Sequence, residues 1–134
     1  MSQTVSPYLT VKGAAEAIAF YQKAFDAKVN MQMPSEDKKR VMHADLAVYG
    51  GTVFLSDEFP EHGGPGAPST DKPVGVAVAI QLPGAREVDA VFNQAVRAGA
   101  KGTVEPADMF WGARFAMVTD PFGHRWMFNG PFQK

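Results

Sequence analysis

Apolar residues along the chain follow two spacings that replace one another in a regular order. They alternate with polar residues in 7–11, which predicts a short strand, and recur every three or four residues in Ala14–Phe25, which predicts an amphipathic helix. The other elements predicted in this part are strands at 28–33, 41–48 and 52–56, a polar turn at 34–40 and a tight turn at Gly50-Gly51. The first half of the chain is therefore predicted to follow the order β-α-β-β-β.

The same order of patterns begins again in the second half of the chain. The helical spacing returns in Ala85–Ala98, with Val96 on its apolar face and Gly99 at its predicted left-handed C-terminal cap. The strands predicted around this helix lie at 76–82, 103–105, 114–119 and 124–128, the last two joined by an Asp120-Pro121-Phe122-Gly123 turn. Equivalent positions such as Leu9 and Ile80 differ by 71 residues, which indicates an internal duplication.

Residues 59–73 lie between the two halves and are dense in glycine and proline, so we expect a linker or flap there without a regular element. We predict one domain over 1–134, with module one at about 5–58, the linker at 59–74 and module two at about 75–129. The fold class is α+β. Because each helix covers one face of its sheet, the two sheets are predicted to curl as one mixed sheet around a shared groove, which is the natural ligand site.

Composition excludes several classes of function. The net charge is −1 and no long basic run occurs, so we expect no nucleic-acid partner. The chain has no cysteine, which rules out disulfides, thiolate metal sites and a cysteine nucleophile. No apolar run approaches membrane-spanning length and the N-terminus lacks the regions of a signal peptide, so we expect a soluble cytoplasmic protein with no membrane partner.

Six short motifs occur in order over nearly the whole chain. They are Pro7-Tyr8-Leu9-Thr10-Val11, Ala19-Phe20-Tyr21 with Ala24-Phe25, Val41-Met42-His43-Ala44, Ser56-Asp57-Glu58, Phe110-Trp111-Gly112 and Asp120-Pro121-Phe122-Gly123-His124-Arg125-Trp126. Together they resemble the vicinal oxygen chelate superfamily, which includes glyoxalases, bleomycin-resistance proteins and extradiol dioxygenases, and within it the PhnB-like branch. The resemblance implies paired β-α-β-β-β modules and a homodimer, and the exposed edges of two short sheets make such pairing plausible.

Catalytic relatives in that superfamily carry metal ligands (His, Gln or Glu) on the first and last strands of each module. Carried over to this sequence, the positions on the first strands fall near Ser6 and at Ala77. Those on the last strands fall at Phe54 or Ser56 and at Met127. Because these side chains do not make a divalent metal site, we predict no cofactor, disfavour a divalent metal, and expect a metal-free small-molecule binding protein of unassigned ligand.

The predicted ligand is apolar or aromatic, with a polar handle. The residues predicted to bind it are Tyr8, His43, Phe54, Trp111, Arg114 and Met127. His43 shares a strand face with Asp45, so the two could form an acid–base pair, and His43 is the candidate base. Arg114 could hold an anion in the groove through its fork of donors.

Other interpretations stay open from the sequence. The protein could be a lyase- or isomerase-like enzyme that uses His43, or a dioxygenase-like enzyme with a relocated metal site built from His43, His62 and His124. His124 could equally be a structural or surface residue. Asp57 and Glu58 at a strand end could bind a cation or simply be solvated. A protein whose main role is assembly, with a vestigial groove, is the third interpretation.

Overall fold

The computed structural model describes residues 5–132 and contains two four-stranded sheets, each with one helix. The chain divides into two compact units between Pro68 and Ser69. No helix in the part of the chain that the structure describes is long and apolar enough to cross a membrane. The predicted α+β class with two β-α-β-β-β repeats is confirmed.

The first unit contains one helix and four strands. They are β1 (Tyr8–Thr10), α1 (Ala14–Phe25), β2 (Lys28–Pro34), β3 (Val41–Val48) and β4 (Gly51–Ser56). The sheet order is β1-β4-β3-β2, with β1 parallel to β4 and the other neighbours antiparallel. A turn of 3₁₀ helix follows at Pro60–His62, within the stretch predicted to lack any regular element. That prediction was wrong at this point, because Pro60 supplies the backbone φ with which a helical turn begins.

Helix α1 has the bounds that the hydrophobic spacing predicts. It ends at Asp26, which takes a left-handed conformation with φ of 53° and donates its N–H to Tyr21. The apolar stripe is buried against the sheet, and Tyr21 and Phe25 are at most 1% exposed. Full burial of each such side chain stabilises the unit by about 1.5–3 kcal/mol.

The second unit repeats this arrangement. Its elements are β5 (Ala77–Gln81), α2 (Ala85–Ala98), β6 (Lys101–Met109), β7 (Ala113–Thr119) and β8 (Arg125–Pro131). The sheet order is β5-β8-β7-β6, with β5 parallel to β8, so each strand has the place of its counterpart in the first unit. Helix α2 packs on β6, β7 and β8. Its C-terminus is closed by Gly99, whose φ is 126° and whose N–H donates to Ala95 and Val96.

Val96 does not belong to the buried face of α2, contrary to the prediction. The buried residues of this helix are Val88, Val91, Phe92 and Ala95, whereas Val96 is 40% exposed. At about 100° per residue, Val96 lies roughly 80° around the helix from Val88, on the side away from Val91. It therefore sits at the margin of the apolar stripe.

Three predicted boundaries also differ from the structure. The hairpin turn is Tyr49-Gly50, with φ of 46° and 83°, and Gly51 already belongs to β4. Two positive φ values are what a two-residue turn of type I′ requires, and that turn follows the twist of the strands. Strand β6 is longer than the predicted 103–105, and β8 begins at Arg125, which leaves His124 in the preceding turn.

Candidate functional site

The open face of the first sheet brings three predicted ligand-binding residues together. Tyr8 on β1 and Phe54 on β4 are register partners, and His43 lies close to both on β3. Their ring centroids are 5.4 Å apart for Tyr8 and His43, 5.2 Å for His43 and Phe54, and 6.0 Å for Tyr8 and Phe54. These positions alternate along the strands with the buried core residues, so the cluster occupies the face that the core leaves open.

His43 is hydrogen-bonded to Tyr8, and within residues 5–132 no hydrogen bond joins it to Asp45. The Tyr8 hydroxyl lies 2.9 Å from His43 Nδ1, whereas Asp45 Oδ1 is buried and has no hydrogen-bond partner within residues 5–132. Side chains two positions apart on a strand are separated by roughly 6.6 Å of backbone, which a short carboxylate does not span. Tyr8 reaches across β4 instead. The predicted pairing of His43 with Asp45 is therefore wrong, and Tyr8 is the partner.

The Tyr8 contact decides which nitrogen of His43 can meet a ligand. A neutral imidazole has one donor and one acceptor nitrogen, and a phenol can serve as partner to either. In both tautomers Nδ1 is engaged by Tyr8, so Nε2 is the nitrogen left to donate to or accept from a bound molecule.

A cleft of about 610 Å³ lies on the same unit. It is lined by Tyr8, Thr10, Met42, Ser56, Phe59, His62, Gly64 and Pro65. Its size falls within the range of small-molecule sites, about 300–1,000 Å³. One part of its lining comes from strands β1, β3 and β4, and the other comes from the glycine- and proline-rich segment that follows β4.

Arg40, just before β3, contacts the glycine- and proline-rich segment through Glu58, Phe59 and Glu61. Its Nη1 donates to the carbonyl oxygen of Glu58 at 2.9 Å, and its guanidinium pairs with the carboxylate of Glu61. The guanidinium carbon also lies 4.0 Å from the centre of the Phe59 ring, a cation–π contact. The hydrogen bond from Arg40 lowers the pKa of Glu61 to about 2. Phe59 is only 8% exposed, so the cleft has a packed aromatic wall.

Asp57 is a structural residue and is neither a cation ligand nor a solvated acid. Its Oδ1 accepts from the N–H groups of Gly13 (3.1 Å) and Ala14 (2.8 Å), and its Oδ2 accepts from Val41 N–H (2.7 Å). The first two donors belong to the N-terminus of α1, where backbone N–H groups and the helix dipole favour a negative charge. Glu58 is also engaged, because its Oε2 accepts from Ala67 N–H at 2.8 Å.

The positions that the resemblance marks as metal ligands do not offer a metal a suitable donor set. Ser6 and Ser56 offer hydroxyl groups and Phe54 an aromatic ring. Ala77 offers a methyl group and Met127 a thioether, so the set lacks the imidazoles and carboxylates that bind a divalent metal. No cluster of three or more His, Asp or Glu residues within 5–132 is arranged to hold a metal ion. His124 is buried, and its backbone N–H donates to Asp120 Oδ1 at 3.0 Å.

The second unit has a smaller pocket of its own, of about 400 Å³. It is lined by Ala79, Ile80, Gln81, Trp111, Phe115, Met127 and Asn129, of which only Trp111 and Met127 were predicted. Trp111 Nε1 donates to Asn129 Oδ1 at 3.0 Å, and Asn129 Nδ2 donates to Gln81 Oε1 at 3.0 Å. The repeat offered a signal for the missed residues. The offset of 71 maps Tyr8 and Thr10, which line the first cleft, onto Ala79 and Gln81.

Arg114 is not brought to this pocket. It lies on the face of β7 that also carries the buried Ala116 and Val118 and that α2 covers. Its Nε donates to Asp89 Oδ1 at 3.0 Å and its Nη1 to Asp108 Oδ1 at 2.9 Å. The hydrogen bonds that Arg114 donates to Asp108 and to Asp89 raise the pKa of its guanidinium. Its donors are therefore engaged by two carboxylates on the helix side of the sheet.

Comparisons with known proteins agree with this architecture. A model of the Glyoxalase/Bleomycin resistance protein/Dioxygenase superfamily matches residues 3–128. An uncharacterized protein of Mycobacterium bovis is 40% identical over 130 residues, which cover 97% of this chain and 84% of that protein. Protein PA1353 from Pseudomonas aeruginosa is 26% identical, with a TM-score of 0.74 over 98% of this chain and 100% of that one.

A fourth similarity concerns the fold alone. The PhnB protein from Bacillus cereus, described as a putative 3-demethylubiquinone-9 3-methyltransferase, is 18% identical with a TM-score of 0.70, over 94% of this chain and 98% of that one. The family model and the Mycobacterium bovis relative each cover nearly the whole chain, so the match extends over both repeats. The chain belongs to the glyoxalase/bleomycin resistance protein/dioxygenase superfamily.

Proposed function

We propose that this is a metal-free small-molecule binding protein that holds an apolar or aromatic ligand with a polar handle in the cleft of its first unit. The observation that carries the proposal is the Tyr8–His43 hydrogen bond of 2.9 Å beside the Phe54 ring, on a unit whose cleft measures about 610 Å³. Aromatic rings offer apolar contact area, and the imidazole adds one orienting polar group.

The cleft and the aromatic cluster have distinct tasks in this proposal, and Tyr8 belongs to both. Phe59 and Met42 line the cleft and supply apolar contact area, whereas His43 and Phe54 lie beside Tyr8 and are not part of the cleft's lining. The ligand extends from the cleft past Tyr8 to Nε2 of His43, which stays available because Tyr8 engages Nδ1. Binding of this kind needs no metal, and the side chains at the superfamily's usual ligand positions are poor donors for a divalent ion.

Binding and mutagenesis test the proposal directly. A panel of neutral aromatic compounds would be screened by calorimetry in buffer with a chelator, and hits would be repeated with His43→Ala and Phe54→Ala. We expect each variant to weaken binding at least fivefold, because it removes a hydrogen-bonding or stacking group. Phe110→Ala is the matched control, since Phe110 is an aromatic residue of the second unit and is 97% exposed. Stoichiometric zinc, nickel, iron or manganese in protein purified without an affinity tag would refute the metal-free assignment.

A second candidate function is an enzyme of lyase or isomerase type with His43 as the base. The Tyr8 contact favours it, since a phenol at Nδ1 fixes the orientation of the ring and leaves Nε2 as the nitrogen that can move a proton. Turnover of an identified substrate that is unchanged in His43→Ala would exclude this role.

We also propose that the protein is a cytoplasmic homodimer. The absence of cysteine suits a reducing compartment, and the edge strand β2 exposes Val29, Met31 and Met33 as an apolar row. Light scattering during gel filtration at micromolar concentration checks the assembly, and a monomer at every concentration would contradict it.

A further inference from the structure

We propose that the second unit carries a separate binding site for a flat, neutral aromatic or heteroaromatic molecule with a hydrogen-bond acceptor on its edge, and that Gln81 recognises this acceptor. The site is the 400 Å³ pocket lined by Trp111, Phe115, Met127, Asn129 and Gln81. This inference does not depend on the ligand proposed for the first unit, because every residue that it uses belongs to the second.

The polarity of the pocket follows from the indole of Trp111. An indole nitrogen can only donate a hydrogen bond. Its partner 3.0 Å away on Asn129 must therefore be the amide oxygen, which fixes the orientation of that amide. Asn129 then presents its nitrogen to Gln81, 3.0 Å away, so Gln81 must accept with its own oxygen. The indole N–H of Trp111 therefore fixes which groups donate and which accept along all three side chains.

The consequence is a defined donor at the other end. With Oε1 of Gln81 engaged by Asn129, the amide nitrogen Nε2 presents two N–H groups. Within residues 5–132, this nitrogen has no hydrogen-bond partner, and Gln81 is exposed. A ligand that gains a hydrogen bond from Gln81 must therefore bring an acceptor, such as a carbonyl oxygen or a ring nitrogen.

The remaining walls define the shape and charge of the ligand. Trp111 is held against Asn129 by its hydrogen bond and packs edge-to-face on Phe115, with the two ring centroids 5.9 Å apart. Its side chain is nevertheless 50% exposed. A fixed, half-exposed indole is suited to stacking on a flat ring, and the thioether of Met127 adapts to its outline. No lining residue is charged, so an ionised ligand would lose hydration without gaining a counter-charge.

The test compares quinoline with naphthalene, which has the same shape but no acceptor nitrogen, at a pH where quinoline is neutral. Binding is followed in ¹⁵N-labelled protein through the indole N–H resonances of the two tryptophans. We expect quinoline to shift the Trp111 resonance and leave that of Trp126 in place, because Trp126 is fully buried and donates to Asp120. We expect quinoline to bind about fivefold to tenfold more tightly than naphthalene, the effect of one net hydrogen bond.

The variant Gln81→Glu isolates the donor. A carboxylate keeps an oxygen acceptor for Asn129 but has no N–H group, so the preference for quinoline should disappear. His43→Ala, a change in the first unit, should leave the quinoline titration unchanged. Equal affinity of the wild-type protein for both compounds, a preference retained in Gln81→Glu, or an unmoved Trp111 resonance would each overturn the proposal. None of these outcomes bears on binding in the cleft of the first unit.

Discussion

Replacement of Asp57 should destabilise the first unit, and the size of the effect should depend on which carboxylate oxygen is changed. The two oxygens serve different elements. Oδ1 accepts from Gly13 and Ala14 at the start of α1, and Oδ2 accepts from Val41 at the start of β3. One side chain from the end of β4 thus joins a helix to a strand.

The magnitude follows from these three contacts. Loss of a side chain that caps a helix N-terminus costs about 0.5–2 kcal/mol, and a buried N–H left without a partner costs about 1–3 kcal/mol. Because such terms are not additive in one network, we expect Asp57→Ala to lower the free energy of unfolding by about 3 kcal/mol. Asp57→Asn keeps the oxygen that caps α1, but places an amide NH₂ against the N–H of Val41, 2.7 Å from the replaced oxygen. We expect this variant to lose about 2 kcal/mol.

Urea unfolding followed by far-UV circular dichroism measures both values, with the slope m used to check that the unfolded state is unchanged. Asp71→Asn is the matched control, because Asp71 is an exposed acid in the segment between the two repeats. Asp57→Asn that is as stable as the control would refute the reasoning, since it would mean that the Oδ2 contact contributes nothing. Asp57→Ala within about 0.5 kcal/mol of wild type would refute the capping role as well.

Three further predictions concern other parts of the chain. Gly130→Ala should lower the free energy of unfolding measured in urea by about 3 kcal/mol, because an added Cβ would lie 2.2 Å from the backbone oxygen of Gly84. Arg40→Met should raise protease cleavage within 59–67, and 1 M salt should do the same in the wild-type protein by screening its pair with Glu61. A shift of pH between 5 and 8 should have no such effect: the pKa of Glu61 is lowered to about 2, so the contribution of the pair is complete above its ordinary value of 4.5 and is lost only as pH falls towards 2. Asp120→Asn should lower stability and shift the emission of the buried tryptophan, because an amide NH₂ would meet the indole N–H that Oδ2 accepts at 2.9 Å.

The helices were predictable from the sequence because each buries a continuous stripe of apolar residues. Ala14–Phe25 and Ala85–Ala98 have the bounds that the spacing indicates. Strand β6 was mostly missed. It is the outer strand of its sheet and contains Gly102 and Pro106, which interrupt the alternation. An edge strand tolerates both, because only one of its sides pairs with a neighbour.

The site was predictable in part, for a physical reason. Alternation along single strands places Tyr8, His43 and Phe54 on an open face, and the structure brings these three together. Alternation alone does not predict which side chains touch, because contacts between strands depend on the register in which the strands pair. His43 therefore meets Tyr8 across β4 and not Asp45 on its own strand. The hydrogen-bonded chain that ends in Gln81 likewise joins residues 48 positions apart.

The two repeats have similar apolar residues on the helix-covered face of each sheet and different residues on the open face. This difference explains why the fold could be predicted from the sequence and the ligand could not. At the offset of 71 residues, the pair Val11 and Leu82 stays apolar and at most 5% exposed. On the open face, Thr10 corresponds to Gln81, so a hydroxyl is replaced by an amide at the same place in the topology. The first unit has an imidazole–phenol pair there, and the second has only neutral side chains around its pocket. Because the open faces contribute few of the buried apolar side chains, substitutions there can alter the ligand that we propose for each unit while the fold is kept.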